Sequence, residues 1–246
     1  MAEVYPSTLS EIYQDPKFFT ELKVYNALQD TLPNDAKIYC QCHFFKKGYD
    51  GNKTAGECDM IILLPNEGII FLEVKGGLIG YKAQENQFTS TRRDTNETFP
   101  ITNPVAQSRS AQYNIFDLFK KNSQTYKDNF INFVHAVCFP DTPKPQDPQP
   151  FGPDMPPDIF LFQDSMLDIT KALSQVCRWF RGEKEIYRLG PPIIKAFDKL
   201  LVGNDLPVKL TLRHQIDAEE ETMSFSATQK AYLNMNSLQN CLKVMN

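Results

Sequence analysis

The sequence predicts a mixed α/β core followed, from about Asp164, by a helical tail. Three observations lead there. Two short apolar runs, Cys58 to Leu64 and Gly68 to Val74, flank the turn signal Pro65-Asn66-Glu67-Gly68. Apolar residues at helical spacing precede this hairpin and follow it. Beyond Asp164 the pattern stays helical to the end of the chain.

The elements follow in order. Phe18, Phe19, Leu22, Tyr25, Leu28 and Leu32 recur at helical spacing, which predicts a first helix from Pro16 to Thr31. Pro33-Asn34-Asp35 stops it. A strand is expected over Lys37 to Phe45, then an exposed loop over Lys46 to Ala55, rich in lysine and glycine. The hairpin of Cys58 to Val74 comes next. Both its faces are apolar over most of its length, which places it centrally in a sheet covered on both sides.

Leu78 to Thr91 predicts one or two further strands. Asn103 is a natural N-cap and Pro104 suits the first helical position, so a helix is expected to about Lys121. Phe130 to Phe139 reads as a buried strand. Pro140 to Pro157 holds eight of the seventeen prolines, a density that neither helix nor interior strand survives. Asp158 to Phe162 is a last short strand. Helices are then expected over Asp164 to Arg181, Pro191 to Leu201, Lys209 to Thr222 and Ala227 to Met245. The division falls between residues 1–163 and 164–246.

Composition bounds the function. A chain of 246 residues with 41% hydrophobic and 23% charged residues suits one ordinary domain with an appended part, and argues against disorder of the whole chain. The net charge is -4, whereas proteins that coat nucleic acid unaided are usually basic. Any nucleic-acid contact must therefore come from local patches or metal ions. Six cysteines, most in apolar runs and with no signal peptide before them, suit reduced thiols in a cytoplasmic protein. Cys40-Gln41-Cys42-His43 has no second ligand pair at zinc spacing. No apolar run approaches a membrane span.

The hairpin carries the chemistry. Residues two apart in a strand share a face, so Glu73 and Lys75 point the same way. With a three-residue loop of Pro65 to Glu67, Leu64 pairs with Gly68, Asp59 stands opposite Glu73, and Glu57 stands opposite Lys75. Opposed Cβ atoms lie about 5 Å apart. A four-residue loop would flip one strand and undo the arrangement. In the first register two carboxylates and an ammonium converge. Such carboxylates repel unless a hard cation shares their charge, and Mg²⁺ favours that donor type. Cation, paired acids and lysine are the parts of in-line phosphodiester hydrolysis.

Asp59, followed fourteen positions on by Glu73-Val74-Lys75, resembles the PD-(D/E)xK nuclease signature. More narrowly, Gly56-Glu57-Cys58-Asp59, the run Glu67 to Gly77 and Asn103-Pro104-x-x-Gln107 resemble the NERD family, the nuclease-related domains. The resemblance spans roughly Pro16 to Asp164 and is most specific at Glu73-Val74-Lys75-Gly76-Gly77. It implies an αβββαβ restriction-endonuclease-like core and metal-dependent DNA cleavage. Carried over by position, it implies that Asp59, Glu73 and the Val74 carbonyl bind Mg²⁺ (or Mn²⁺). It gives Lys75 the nucleophilic water, Glu21 a water-mediated metal contact, and Gln107 the orienting of Lys75 or substrate. Related RecB-like nucleases carry a tyrosine four positions after the glutamine. Here that position is Ala111, with Tyr113 further on, which puts a tyrosine role in doubt.

Plainer readings stand beside these. Glu73 and Lys75 could be charges ending a strand; Glu21 and Gln107 could be solvated helix residues. Glu57 reads as an ion-pair partner of Lys75 or a rim charge. His135 sits in an apolar strand and reads as a satisfied core residue. Lys46, Lys47, Lys53, Arg92, Arg93 and Arg109 form either a phosphate-guiding rim or an ordinary solvated surface.

Ser224 to Leu233 resembles the glutamine-containing lead-in before the nucleotide loop of superfamily 1 helicases, an arrangement some NERD proteins have. No Gly-x-x-x-x-Gly-Lys-Ser/Thr loop occurs in the chain, so no ATPase activity is expected. Two readings follow: a fragment whose helicase domain lies in cis beyond residue 246, or a standalone protein whose last helix packs on the core. The expected activity is a DNA nuclease. Its rivals are a non-catalytic nucleic-acid or partner-binding module and an RNase.

Overall fold

The computed structural model describes residues 2–7, 13, 15–47, 53–122, 130–185 and 188–202. A six-stranded sheet runs in the order β1-β2-β3-β4-β8-β9. Its strands are β1 (Glu3–Tyr5), β2 (Lys37–Lys47), β3 (Lys53–Leu64), β4 (Gly68–Val74), β8 (Phe133–Cys138) and β9 (Phe160–Leu161). β2, β3 and β4 pair antiparallel, while β1 on β2, β4 on β8 and β8 on β9 are parallel. The sheet is therefore mixed, and β3 and β4 are central in it.

The side-chain period of two splits the central strands between two cores. Ile38, Met60, Ile62, Ile70, Leu72, Val134 and Ala136 pack against α1 (Phe19–Thr31), through Val24 and Leu28. Tyr39, Ile61, Leu63, Ile69 and Phe71 pack on the other side against α2 (Pro104–Asn122), through Ala111, Ile115 and Phe119. Asn103 caps α2 as its sequence suggests: Oδ1 accepts from the Val105 and Ala106 amides. A second sheet, β5 (Leu78–Lys82), β6 (Gln87–Thr91) and β7 (Thr98–Ile101), is antiparallel. Its Phe88 packs with Val137, Phe139 and Phe160 in a third, aromatic cluster.

Several boundaries differ from the sequence reading. β2 runs on to Lys47 and β3 begins at Lys53, so both ends of the expected loop over Lys46 to Ala55 are strand. β1 and β7 were not foreseen; they are three and four residues long and carry no apolar run. The first helix opens with a 3₁₀ turn, Pro16–Phe18. The strand expected over Asp158 to Phe162 is a 3₁₀ turn, Pro157–Ile159, and then the two residues of β9. The helix expected from Asp164 becomes a 3₁₀ turn, Gln163–Leu167, and α3 (Ile169–Arg181), where the Asp168 carboxylate accepts the Lys171 amide.

Residues on both sides of Asp164 pack into the same cores. α3 contributes Ile169, Leu173, Val176 and Cys177 to the first core, and α4 (Pro191–Leu201) contributes Ile193 and Phe197 to the second. Both helices belong to the compact unit Met1–Gly203 because each completes a face of the sheet. The helices expected over Lys209 to Thr222 and Ala227 to Met245, and the helicase-like lead-in, lie outside the described residues. Among the described residues no helix is long and apolar enough to cross a membrane.

Candidate active site

The turn sets the register of the central hairpin. Leu64 pairs with Gly68, and pairing continues through Met60 and Leu72. One step further along the same register stand Asp59 and Glu73. There the Asp59 side chain receives the Val74 amide: Oδ2 accepts at 2.7 Å. A carboxylate holding a backbone N–H in this way forms a charge-assisted bond.

Glu73 is 2% exposed, and its Oε1 meets Lys75 Nζ at 2.6 Å. Residues two apart on one strand face can pair like this, and both are anchored: the Lys75 amide donates to the Cys138 carbonyl at 2.9 Å. Burial pushes the Glu73 carboxyl up to about 7, and the negative charge of Asp59 pushes the same way against the pull of Lys75. Burial likewise raises Asp59, opposed by Lys75 and by the Val74 amide. Burial alone would lower Lys75, but the charges of Glu73 and Asp59 outweigh it and hold the ammonium protonated.

Glu21 joins this cluster from the first turn of α1. Burial raises its carboxyl, and the charges of Asp59, Lys75 and Glu57 reach it. Its Oε2 is closed to solvent and has no hydrogen-bond partner. Two different constraints explain the pair of glycines after Lys75. A Cβ on Gly76 would stand 2.3 Å from Thr20 Oγ1, the neighbour of Glu21. Gly77 has φ +87°, a conformation that glycine adopts at no steric cost.

A latch holds this exit. Asp141 Oδ1 pairs with Lys23 of α1 at 2.8 Å, while Oδ2 accepts the Gly77 amide at 3.3 Å. The Thr142 hydroxyl donates to the Gly77 carbonyl at 3.1 Å and accepts the Ile79 amide at 2.9 Å. The sequence reading missed Thr20, Lys23, Asp141 and Thr142. The signal for the latch in the sequence is an acid and a hydroxyl at the start of the proline-rich stretch, directly after a buried strand.

The other candidates are placed as follows. Lys75 pairs with Glu73 rather than with Glu57; Glu57 is exposed and lies across from His43 on β2. Gln107 lies in the first turn of α2 with Oε1 closed to solvent and unpartnered. Ala111 is fully buried in the core and Tyr113 is exposed. Arg109 is bound to Asp154 at 2.5 Å. Arg93 Nη2 donates to the Asp141 carbonyl at 2.5 Å, and Arg92 lies over the Phe99 ring. The side chains of Lys46, Lys47 and Lys53 lie outside the described residues. His135 Nδ1 meets Gln112 Oε1 at 2.6 Å, and burial pushes its imidazole down to about 4, as suits a core residue.

Among the described residues no three His, Cys, Asp or Glu side chains are grouped to hold a metal ion. A cation at the hairpin would rest on two carboxylates and a backbone carbonyl, a hard, all-oxygen donor set.

A mixed sheet layered with helices on both faces and built round this central hairpin is a nuclease-like α/β fold. The family model described as the nuclease-related domain, NERD, matches residues 16–140, about half of the chain, and the chain belongs to that family. Neither a search of curated proteins nor one of solved structures found a match.

Proposed function

We propose that this protein is a divalent-metal-dependent nuclease that hydrolyses phosphodiester bonds of DNA. The observation that carries the reading is the juxtaposition at the end of the β3–β4 hairpin. Asp59 holds the Val74 amide there, beside the buried Glu73–Lys75 pair. Two carboxylates whose proton affinity is raised by burial gain most from a cation that shares their charge. The unpartnered oxygen of Glu21 points to the same chemistry.

Asp59, Glu73 and the Val74 carbonyl would hold Mg²⁺ or Mn²⁺. When bound, the ion supplies Lewis-acid neutralisation of phosphate charge and a more acidic water. The Lys75 amide, which shares a peptide plane with the Val74 carbonyl, donates to the Cys138 carbonyl, so the Val74 carbonyl has a set direction. Lys75, kept protonated by its acidic neighbours, orients the attacking water and hydrogen-bonds to the oxygens on which charge builds at phosphorus. The new P–O bond forms from that water, whose proton passes to solvent, as the P–O bond to the leaving sugar breaks and the sugar oxygen takes up a proton from solvent. Glu21 positions a second water from α1. Gln107, whose Oε1 is unpartnered, orients Lys75 or substrate.

The test is incubation of the full chain with single- and double-stranded DNA and RNA in Mg²⁺, Mn²⁺ or EDTA. DNA cleavage that needs the cation and is lost in Glu73→Ala and Lys75→Ala is expected. Cleavage that persists in EDTA or in those variants overturns the mechanism. DNA binding with no cleavage in any metal points instead to a non-catalytic module.

A further inference from the structure

The second sheet begins where the candidate site ends. Lys75 is followed by Gly76 and Gly77, and β5 starts at Leu78. Two contacts tie β6 to that exit. Ser90 Oγ donates to the Gly76 carbonyl at 2.9 Å, and a Cβ on Gly77 would stand 2.5 Å from the same oxygen. The direct partner of Ser90 on β7 is Phe99. Cross-strand partners share a face, with Cβ atoms about 5 Å apart. The Phe99 side chain therefore leaves the sheet on the face that Ser90 turns towards Gly76. Phe88 and Ile101, two residues along on that face, sit in the aromatic cluster, whereas Phe99 is 37% exposed.

The charges around Phe99 are sorted. Arg92 Cζ lies 5.5 Å from the centre of the Phe99 ring, within cation–π reach. Arg93 gives an N–H to the carbonyl of Asp141, a neutral acceptor, and the Asp141 side chain holds the Gly77 amide. The acids of the same turn are occupied within it. Asp94 Oδ1 accepts the Thr95 amide at 3.0 Å, and Glu97 Oε2 meets the Thr95 hydroxyl at 3.4 Å. Both guanidinium groups thus reach out of the turn, one over the ring and one to the latch at the exit of the site.

An exposed ring with an arginine over it, in a row of residues that ends at Gly76, suits a nucleobase. Bases stack on aromatic rings and on guanidinium planes, and arginine also complements the phosphates between them. A base inside a duplex has both faces covered by its neighbours, so only an unpaired strand can offer one.

We propose that Phe99 and Arg92 form a stacking platform for an unpaired base of single-stranded DNA, next to the phosphodiester held at Asp59, Glu73 and Lys75. This rests on the reading of the hairpin as a phosphodiester site and narrows its substrate to a single strand. Arg93, bonded at Asp141, adds positive charge beside the same exit.

The experiment uses the full chain and its Phe99→Leu, Phe99→Trp and Phe99→Ala variants. Leucine keeps apolar bulk without a ring face, and tryptophan keeps a ring face. Binding is measured in Ca²⁺ without turnover for a short single-stranded DNA oligonucleotide and for one of the same length with abasic sites in place of its bases. Phe99→Leu and Phe99→Ala are expected to bind the base-bearing strand about tenfold more weakly, the worth of one stacked base. Phe99→Trp should bind it as the wild type does. Affinity for the abasic strand, whose phosphates remain, should be the same in all four proteins. In Mg²⁺ the KM for the single strand should rise in Phe99→Leu by more than kcat falls.

Equal affinity of Phe99→Leu and the wild type for the base-bearing strand overturns the inference and leaves the nuclease reading intact. A loss of the same size for the abasic strand does so too. Base-dependent binding that vanishes in Phe99→Leu, without any cleavage by the wild type, supports the inference and removes hydrolysis. A wild type that binds no DNA overturns both. If a variant melts lower, the ratio of its affinities for the two strands decides, because a folding defect lowers both alike.

Discussion

Asp59 Oδ2 accepts the Val74 amide at 2.7 Å, one residue beyond the last backbone pair between β3 and β4, Met60 with Leu72. A side chain thereby continues the ladder where the backbone leaves it. The carboxylate is fixed by a charge-assisted bond, and its charge acts on Glu73, Lys75 and Glu21.

Removing that acceptor separates structure from chemistry. Asp59→Ala leaves the Val74 amide unpaired and should lower stability by about 1–3 kcal/mol. Asp59→Asn keeps an acceptor and should unfold at or above the wild-type midpoint, because a buried carboxylate is gone. Both should lose roughly 100-fold or more in cleavage rate. Urea unfolding and an oligonucleotide cleavage assay check the pair; an active Asp59→Asn would remove Asp59 from the mechanism.

Cation binding has a readout that needs no substrate. A ligand that binds only the folded chain stabilises it by about 2.7 kcal/mol at a hundred times its dissociation constant. Millimolar Mg²⁺ or Mn²⁺ should therefore raise the melting temperature of the wild type. The rise should vanish in Asp59→Asn and in Glu73→Gln. A rise that is equal in all three places the cation elsewhere.

Gly76 tests how α1 is seated. A methyl group there collides with the Thr20 side chain, so that side chain must turn or α1, which carries Glu21, must move. Gly76→Ala should cost about 1–3 kcal/mol by overpacking. Adding Thr20→Ala should recover part of that loss, a coupling that independent sites would not show. Chemical denaturation of the two single variants and the double variant measures it.

His135 gives a pH dependence of known sign. Its folded pKa, about 4, lies below the ordinary value of 6.5, so the unfolded chain binds more protons between those limits. Its contribution to stability is present above pH 6.5 and is lost as pH falls towards 4, by up to about 3 kcal/mol in total. Glu73 acts in the opposite sense: its folded pKa is raised, so its contribution is present at low pH and fades as pH rises through about 7. His135→Gln keeps a partner for Gln112 and should flatten the acid limb of the stability profile. The difference between the two profiles isolates the histidine, because the Glu73 contribution is common to both.

Much of this architecture was legible in the amino-acid order because its causes are local. The turn at Pro65 to Gly68 between two apolar runs marks the hairpin, while the register that puts Asp59 across from Glu73 is set by the pairing of Leu64 with Gly68 in the folded sheet. Asn103 and Pro104 announce the start of α2 by cap chemistry that spans only a few residues. Other features depend on groups brought together from far apart. Lys75 chooses Glu73 over Glu57 because burial makes the enclosed carboxylate the one that needs a counter-charge. The need for glycine at position 76 comes from Thr20, 56 residues earlier, pressing on it from α1. β1 and β7 are edge strands too short to show a pattern, and they exist through their neighbours' open hydrogen bonds. Gln41, with φ +51° inside β2, leaves no mark in composition or periodicity; at that turn Cys40 goes to one core and Cys42 to the other, which only the packing on the two faces of the sheet reveals.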